Sequence, residues 1–104
     1  MQIQINSDKN IGADKRLESY YTSLIEKSLS RFDDTISRIE VHFSDENSEK
    51  FGTDDKRCLI EARLNGRQPL VVTNTADTIE KSFSGSLDKM KRKLDTTSDK
   101  MRNH

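Results

Sequence analysis

Apolar residues in the last part of the chain, from Thr78 to Arg102, recur at the spacing of an α-helix. Rotated through roughly 100° per residue, they form one narrow stripe. The stripe consists of Ile79, Phe83, Leu87, Met90, Leu94 and Met101. Because such a stripe is stable only when a sheet or another helix covers it, the pattern predicts a long helix packed by one side against the rest of the chain. Asp77 with Glu80 makes a capping-box-like start for this helix.

Charged residues separate onto the two flanks of this last helix. The basic flank, which also includes Gly85 and Thr96, carries Lys89, Arg92, Lys93 and Lys100. The acidic flank carries Glu80, Asp88, Asp95 and Asp99. One interpretation is a solvated helix with i,i+4 ion pairs such as Asp88 with Arg92. The other is a surface that binds the backbone of a nucleic acid, because cations gathered on one side attract phosphates.

The first third of the chain predicts a strand followed by a helix. The strand has apolar residues alternating with polar ones, at Met1, Ile3 and Ile5. The helix has Asp14 as its N-cap and ends near Asp33-Asp34. Its apolar face consists of Leu17, Tyr21, Leu24, Ile25, Leu29 and Phe32. One edge of that face gathers Tyr20, Lys27 and Arg31, and we interpret Tyr20 as a packing residue at the boundary rather than a platform for a base.

Alternating apolar residues predict three further strands. They run from Ile39 to Phe43, from about Arg57 to Leu64, and from Gln68 to Thr73. Between the last two, Asn65-Gly66 predicts a type I′ hairpin turn, because both residues tolerate a positive φ. The third and fourth strands are therefore antiparallel. Pro69 has no N–H to donate, which places the fourth strand at an edge.

The resulting order is β-α-β-β-β-α, an α+β sandwich in one domain covering residues 1–104. We expect a mixed four-stranded sheet in the order 1-2-3-4, with a parallel pair joined by the first helix. Both helices should cover the face that presents Ile3, Val41, Ile60 and Leu70. The basic flanks of the two helices are then expected to border one groove, and two basic strips suit the phosphates of a structured RNA.

Composition limits these interpretations. The 104 residues include 18 basic and 18 acidic ones, so affinity for a nucleic acid must come from local separation of charge. No apolar run is long enough to cross a membrane and the first residues do not resemble a signal peptide, so we expect a cytoplasmic protein without a membrane partner. The single cysteine, Cys58, lies in a strand pattern and is interpreted as a small buried side chain.

The sequence favours neither a metal site nor catalysis. The segment from Asp45 to Lys56 is rich in acids, but together with His42 it matches neither calcium nor zinc spacing, and we interpret it as a solvated loop. The chain has no Ser/His/Asp arrangement, no paired acids on structured elements and no phosphate loop. We therefore expect no enzyme, no cofactor and no small-molecule substrate.

Three stretches of the chain resemble the ribosome hibernation factors, also called ribosome-associated inhibitors or sigma-factor modulation proteins. The first two are Ile25-Glu26-Lys27-Ser28-Leu29-Ser30-Arg31-Phe32 and Ile39-Glu40-Val41-His42-Phe43. The third is the last helix, with Gly85, Asp88-Lys89-Met90, Arg92-Lys93-Leu94 and Asp99-Lys100-Met101 in the register of the family's short form. The resemblance covers the whole chain.

This resemblance implies binding in the decoding channel of the small ribosomal subunit during stress or stationary phase, where such a factor excludes transfer RNA and messenger RNA. The expected partners are the small subunit and its RNA. Combined with the charge pattern, it predicts that the RNA-binding residues are Lys27, Arg31, Lys89, Arg92, Lys93 and Lys100.

One departure from the family keeps a second function open. Where close relatives carry further lysines, this chain has Asp95-Thr96-Thr97-Ser98. Together with the neutral net charge, this favours as an alternative a stress regulator that uses the same fold to bind a protein without binding ribosomes. The sequence does not determine the oligomeric state.

Overall fold

The computed structural model describes residues 1–8, 15–45 and 56–102, and the backbone alone for residues 99–102. Along the chain these residues form β1 (Gln2–Ser7), α1 (Lys15–Ser28), a short 3-10 helix (Ser30–Phe32), β2 (Ile36–Asp45), β3 (Lys56–Leu64), β4 (Leu70–Ala76) and α2 (Ile79–Arg102). The acidic segment 46–55 and the predicted N-cap Asp14 lie outside the described residues.

The sheet has the order β1-β2-β3-β4, as predicted. β1 runs parallel to β2, with Ile3 opposite Ile39, because α1 carries the chain back across one face of the sheet. β2 pairs antiparallel with β3, and β3 with β4, so that Ile60 lies between Val41 and Val72. The α+β fold class and the strand order are therefore confirmed.

Alternate strand residues and the apolar faces of both helices form the core. Three rings join its layers, with Tyr21 on α1 at 4.6 Å from Phe83 on α2 and 5.0 Å from Phe43 on β2, measured between ring centroids. Burial, assisted by the negative charge of Glu80, raises the pKa of the Tyr21 hydroxyl. These contacts fix how each helix is rotated about its axis, and hence which flank faces which neighbour.

α2 lies close to the sheet because small residues occupy one side of it. A Cβ on Gly85 would stand 2.1 Å from the side-chain nitrogen of Asn74 on β4. One residue further, the Ser86 hydroxyl is buried and donates a hydrogen bond of 2.6 Å to the carbonyl of Cys58 on β3. The side of α2 that carries these two residues therefore faces β3 and β4.

The connection between β3 and β4 is a hairpin, but not of the predicted type. Residues 65–69 separate the two strands, and Gly66 is the only described residue with a positive φ, of 71°. Asn65 instead ties the hairpin to the preceding loop, since its side-chain amide donates to the carbonyl of Asp34 at 3.0 Å. The type I′ prediction is wrong because this tertiary contact and the longer loop set the turn.

Two helix ends also differ from prediction. α1 ends at Ser28 and the chain continues as the 3-10 helix, so the single predicted helix is divided near its end. At the start of α2, the hydroxyl of Thr78 accepts the N–H of Lys81 at 3.1 Å and is the cap. Asp77 contributes differently, through an ion pair of 3.1 Å with the Lys81 ammonium.

Candidate nucleic-acid interface

The basic flank of α2 lies along the outer edge of the sheet. Lys89 is one helical turn beyond Gly85, and Lys93 is a further turn on, so both continue the side of α2 that faces β4. The Lys89 ammonium donates to the carbonyl of Thr73 at 2.7 Å, and the Lys93 ammonium donates to the carbonyl of Val71 at 3.3 Å. Both acceptors belong to β4, which is an edge strand.

These two hydrogen bonds hold the ammonium groups in place and leave some of their N–H donors free. An ammonium group has three donors, so each lysine keeps two N–H groups for other acceptors. Both residues are exposed. They also shield the edge, because an edge strand presents unpaired carbonyls on which another strand could pair. The result is a pair of positioned cations about 6 Å apart along the helix axis.

Arg92 completes the described part of this surface, which we call the basic strip: Lys89, Arg92 and Lys93. Arg92 is exposed and forms no ion pair with any described residue. Thr96, one turn beyond it, is exposed and donates its hydroxyl to the Arg92 carbonyl at 3.0 Å. Lys100 belongs to the same flank by its position in α2, where the backbone alone is described.

The remaining two predicted residues lie elsewhere, Lys27 in the last turn of α1 and Arg31 in the 3-10 helix that follows it. Arg31 pairs with Asp95 on the acidic flank of α2, and its guanidinium also lies 4.6 Å from the centre of the Phe32 ring. Lys27 is exposed, about one turn before Arg31. The prediction of one groove bordered by both basic flanks is wrong. Because the small residues of α2 face β4, its basic flank is on the outside and Asp95 lies opposite Arg31.

Tyr20 lies at the boundary of the core, as interpreted, because its ring packs edge-on against Tyr21 while 51% of its surface is exposed. The neighbouring Tyr21 takes the buried position instead, at 6% exposure. Consecutive aromatic residues on an amphipathic helix cannot both face the core, and this signal was available in the sequence.

The described residues offer little that resembles a catalytic or metal centre. They contain no cluster of three or more His, Cys, Asp or Glu side chains placed to bind a metal; the acids of segment 46–55 are not among them. Burial raises the pKa of the Cys58 thiol to about 12, with a smaller opposing effect from its hydrogen bond with Ser86, so the thiol is protonated and unreactive. In the same part of the chain, no helix combines the length and apolarity needed to cross a membrane.

Comparison with known proteins identifies the family. Residues 3–102 match the family described as sigma 54 modulation protein / S30EA ribosomal protein, and the chain belongs to that family. This is a family of ribosome-associated modulation proteins and not an enzyme family. The resemblance to hibernation factors is thereby confirmed. Among curated proteins, none matches the chain at a significant level.

Two solved structures share the fold. The N-terminal domain of Protein Y from Thermus thermophilus is 17% identical, with 90% of this chain and 96% of that chain covered and a TM-score of 0.65. A ribosomal subunit interface protein from Coxiella burnetii is 22% identical, with 95% of this chain and 99% of that chain covered and a TM-score of 0.67. At these identities the likeness establishes the fold alone.

Proposed function

We propose that the protein is a translation silencer that binds the small ribosomal subunit through the basic strip and occupies the decoding channel under stress or in stationary phase. The observation that carries this proposal is the geometry of Lys89 and Lys93. Each ammonium group donates to a carbonyl of β4 and keeps two further N–H donors. Family membership and the name of the Coxiella relative support the ribosome as the partner.

The chemistry of the basic strip suits the RNA backbone better than base edges. Lysine ammonium groups act as point charges on phosphates, while the Arg92 guanidinium can donate two parallel hydrogen bonds to one phosphate. Contacts of this kind position a protein on RNA by shape and carry little sequence information. Because the net charge is zero, the strip must supply the attraction locally.

Lys27 and Arg31 form a second, smaller contact in this proposal. Arg31 would exchange Asp95 for a phosphate, and the exchange costs little because the two side chains are 64% and 48% exposed. Exposed ion pairs of this kind contribute about 0–1 kcal/mol. Lys100 would extend the contact along α2.

Charge reversal on opposite flanks of α2 tests the proposal. Lys89→Glu with Arg92→Glu should abolish co-sedimentation with small subunits at low salt, because repulsion replaces attraction at two phosphates. Lys91→Glu is the control, matched in charge to the single reversal Lys89→Glu, since Lys91 lies between these residues in sequence but on the flank that faces α1. Unfolding midpoints should confirm that all variants fold. Equal losses in the two single reversals would show that only overall charge matters and would refute the role of the basic strip.

The open face of the sheet supports the alternative, a protein-binding stress regulator. There Arg38 binds Glu40 at 3.1 Å, and Arg63 approaches Glu61 at 3.6 Å. Partial burial raises the pKa of Glu40, but the hydrogen bonds and charge of Arg38 outweigh it, so this pKa lies below its usual value. Nearby Val71 is 44% exposed. A mixed-charge face with an exposed apolar residue suits a protein, and binding of a protein without ribosomes would favour this function.

A further inference from the structure

The exposed surface of α1 carries an aromatic ring that packs against the core and is open to solvent. Tyr20 and Val71 are the large apolar side chains most exposed in the described part of the chain, and Tyr20 is the aromatic one. Its ring makes a T-shaped contact with Tyr21, with centroids 5.0 Å apart and planes at 77°. Tyr21 is in turn packed against Phe83. The Tyr20 ring is thus supported from the core while half of its surface remains free.

Cations and hydroxyl groups surround this ring. Lys15, Arg16, Ser19 and Ser23 line a shallow depression of about 500 Å³ together with Tyr20. Arg16 lies about one turn before Tyr20 on α1, and Lys27 lies about two turns after it. The three cations Lys15, Arg16 and Lys27 form no ion pair with a described residue.

The acids nearest this patch do not lie beside its two closest cations. By helical rotation Glu18 is across α1 from Tyr20, whereas Glu26 is close to Ser19 and lines a separate cleft with Met1 and Ile3 beside β1. Glu80 on α2 acts on the neighbouring Tyr21. The Tyr20 ring itself is flanked along α1 by Arg16 and Lys27, with hydroxyl donors beside it. This combination binds unpaired nucleotides, because a base stacks on the ring while cations contact the phosphates on either side.

We infer that Tyr20 is a stacking platform for one unpaired base of RNA, with Arg16 and Lys27 on the flanking phosphates and the hydroxyls of Ser19 and Ser23 beside the nucleotide. The inference rests on the proposed function for its biological partner. It adds a different kind of contact, because the basic strip on α2 binds the backbone of paired or unpaired RNA, whereas Tyr20 requires a base that has left the stack.

The protein provides its own optical probe for this site. It contains two tyrosines and no tryptophan. Emission from the Tyr20→Phe variant therefore reports Tyr21 alone, and the difference from the natural protein reports Tyr20. Titration with a short single-stranded oligouridylate should quench the Tyr20 contribution and leave the Tyr21 contribution nearly unchanged. Quenching that is equal in the natural protein and in Tyr20→Phe would overturn the inference.

Affinity measurements separate stacking from charge. By fluorescence anisotropy with labelled oligouridylate, Tyr20→Leu should weaken binding by about five- to 150-fold, the range expected for loss of one base–aromatic stack. Tyr20→Phe should bind nearly as well as the natural protein. Leucine keeps the apolar contact with Tyr21, so the fold should survive, and thermal unfolding checks this. Binding of the corresponding RNA duplex should not change. Unchanged oligouridylate binding in Tyr20→Leu would refute the stacking role of Tyr20. Binding of polyglutamate as tightly as oligouridylate would refute it as well.

Failure of this inference and failure of the proposed function are distinguishable. If Lys89→Glu with Arg92→Glu abolishes ribosome binding while Tyr20→Leu leaves oligouridylate binding unchanged, the function stands and the platform is refuted. If oligouridylate binding depends on Tyr20 but ribosomes are not bound at low salt, the platform stands and the proposed function is refuted.

Discussion

The close approach of α2 to β4 can be tested at Gly85, where the glycine is required for space. A Cβ there would lie 2.1 Å from Nδ2 and 2.5 Å from Cγ of Asn74. In an unhindered helix, Gly→Ala stabilises by about 1 kcal/mol. Overpacking costs about 1–3 kcal/mol, because Asn74 must turn away or α2 must rise from the sheet. We therefore expect Gly85→Ala to lower the free energy of unfolding by about 1 kcal/mol.

A double-mutant cycle isolates this contact. In an Asn74→Ala background the obstructing atoms are gone, and Gly85→Ala should then raise the free energy of unfolding by about 1 kcal/mol. Urea unfolding followed by circular dichroism measures both effects. Ser84→Ala, at the exposed neighbouring position, is the control and should behave alike in both backgrounds. The same effect of Gly85→Ala with and without Asn74 would contradict the close packing that places Lys89 and Lys93 on β4.

Three further outcomes follow from the site. The pKa of the Cys58 thiol is raised to about 12, so the thiol stays neutral in the folded protein at a pH where it ionises in the unfolded chain. The midpoint of unfolding should therefore decrease as the pH is raised from 8 to 10, and it should decrease less in Cys58→Ala. Thr96→Lys adds a cation beside the basic strip and should tighten binding to small subunits, whereas Ser84→Lys on the opposite flank should not. Asp95→Asn releases Arg31 and should tighten binding in the same assay, at a cost below about 1 kcal/mol in stability.

Periodicity predicted the architecture well because burial decides it. The stripe from Ile79 to Leu94 and the alternation at Val41 and Ile60 each leave one face that must be covered, and few arrangements of six elements cover them all. Residue preferences for caps and turns predicted the ends of the elements less well. Asp77 and Thr78 are adjacent and both suit an N-cap, so the choice depended on where α2 meets the sheet. Likewise Asn65 bonds to Asp34, far away in sequence, and this contact overrides its turn preference.

The arrangement of charges needed the structure for a different reason. Rotation about a helix axis gives the angle between Lys89 and Asp95, but it does not say which neighbour each side meets. The small residues at Gly85 and Ser86 were the available signal, because a helix side without bulk can approach a strand closely. That signal places the basic strip beside β4 and leaves Asp95 opposite Arg31. The RNA-binding role of all six predicted residues stays a prediction.

Salt dependence of binding tests the central claim, that the basic strip binds RNA phosphates, most directly. Affinity for purified small subunits should fall linearly on a log–log plot against salt concentration, because each phosphate contact releases counterions. Neutralising two cations, in Lys89→Gln with Arg92→Gln, should reduce the slope by about 1.5, whereas Lys91→Gln should leave it unchanged. A flat titration for the natural protein, or the same slope in all three proteins, would contradict the claim.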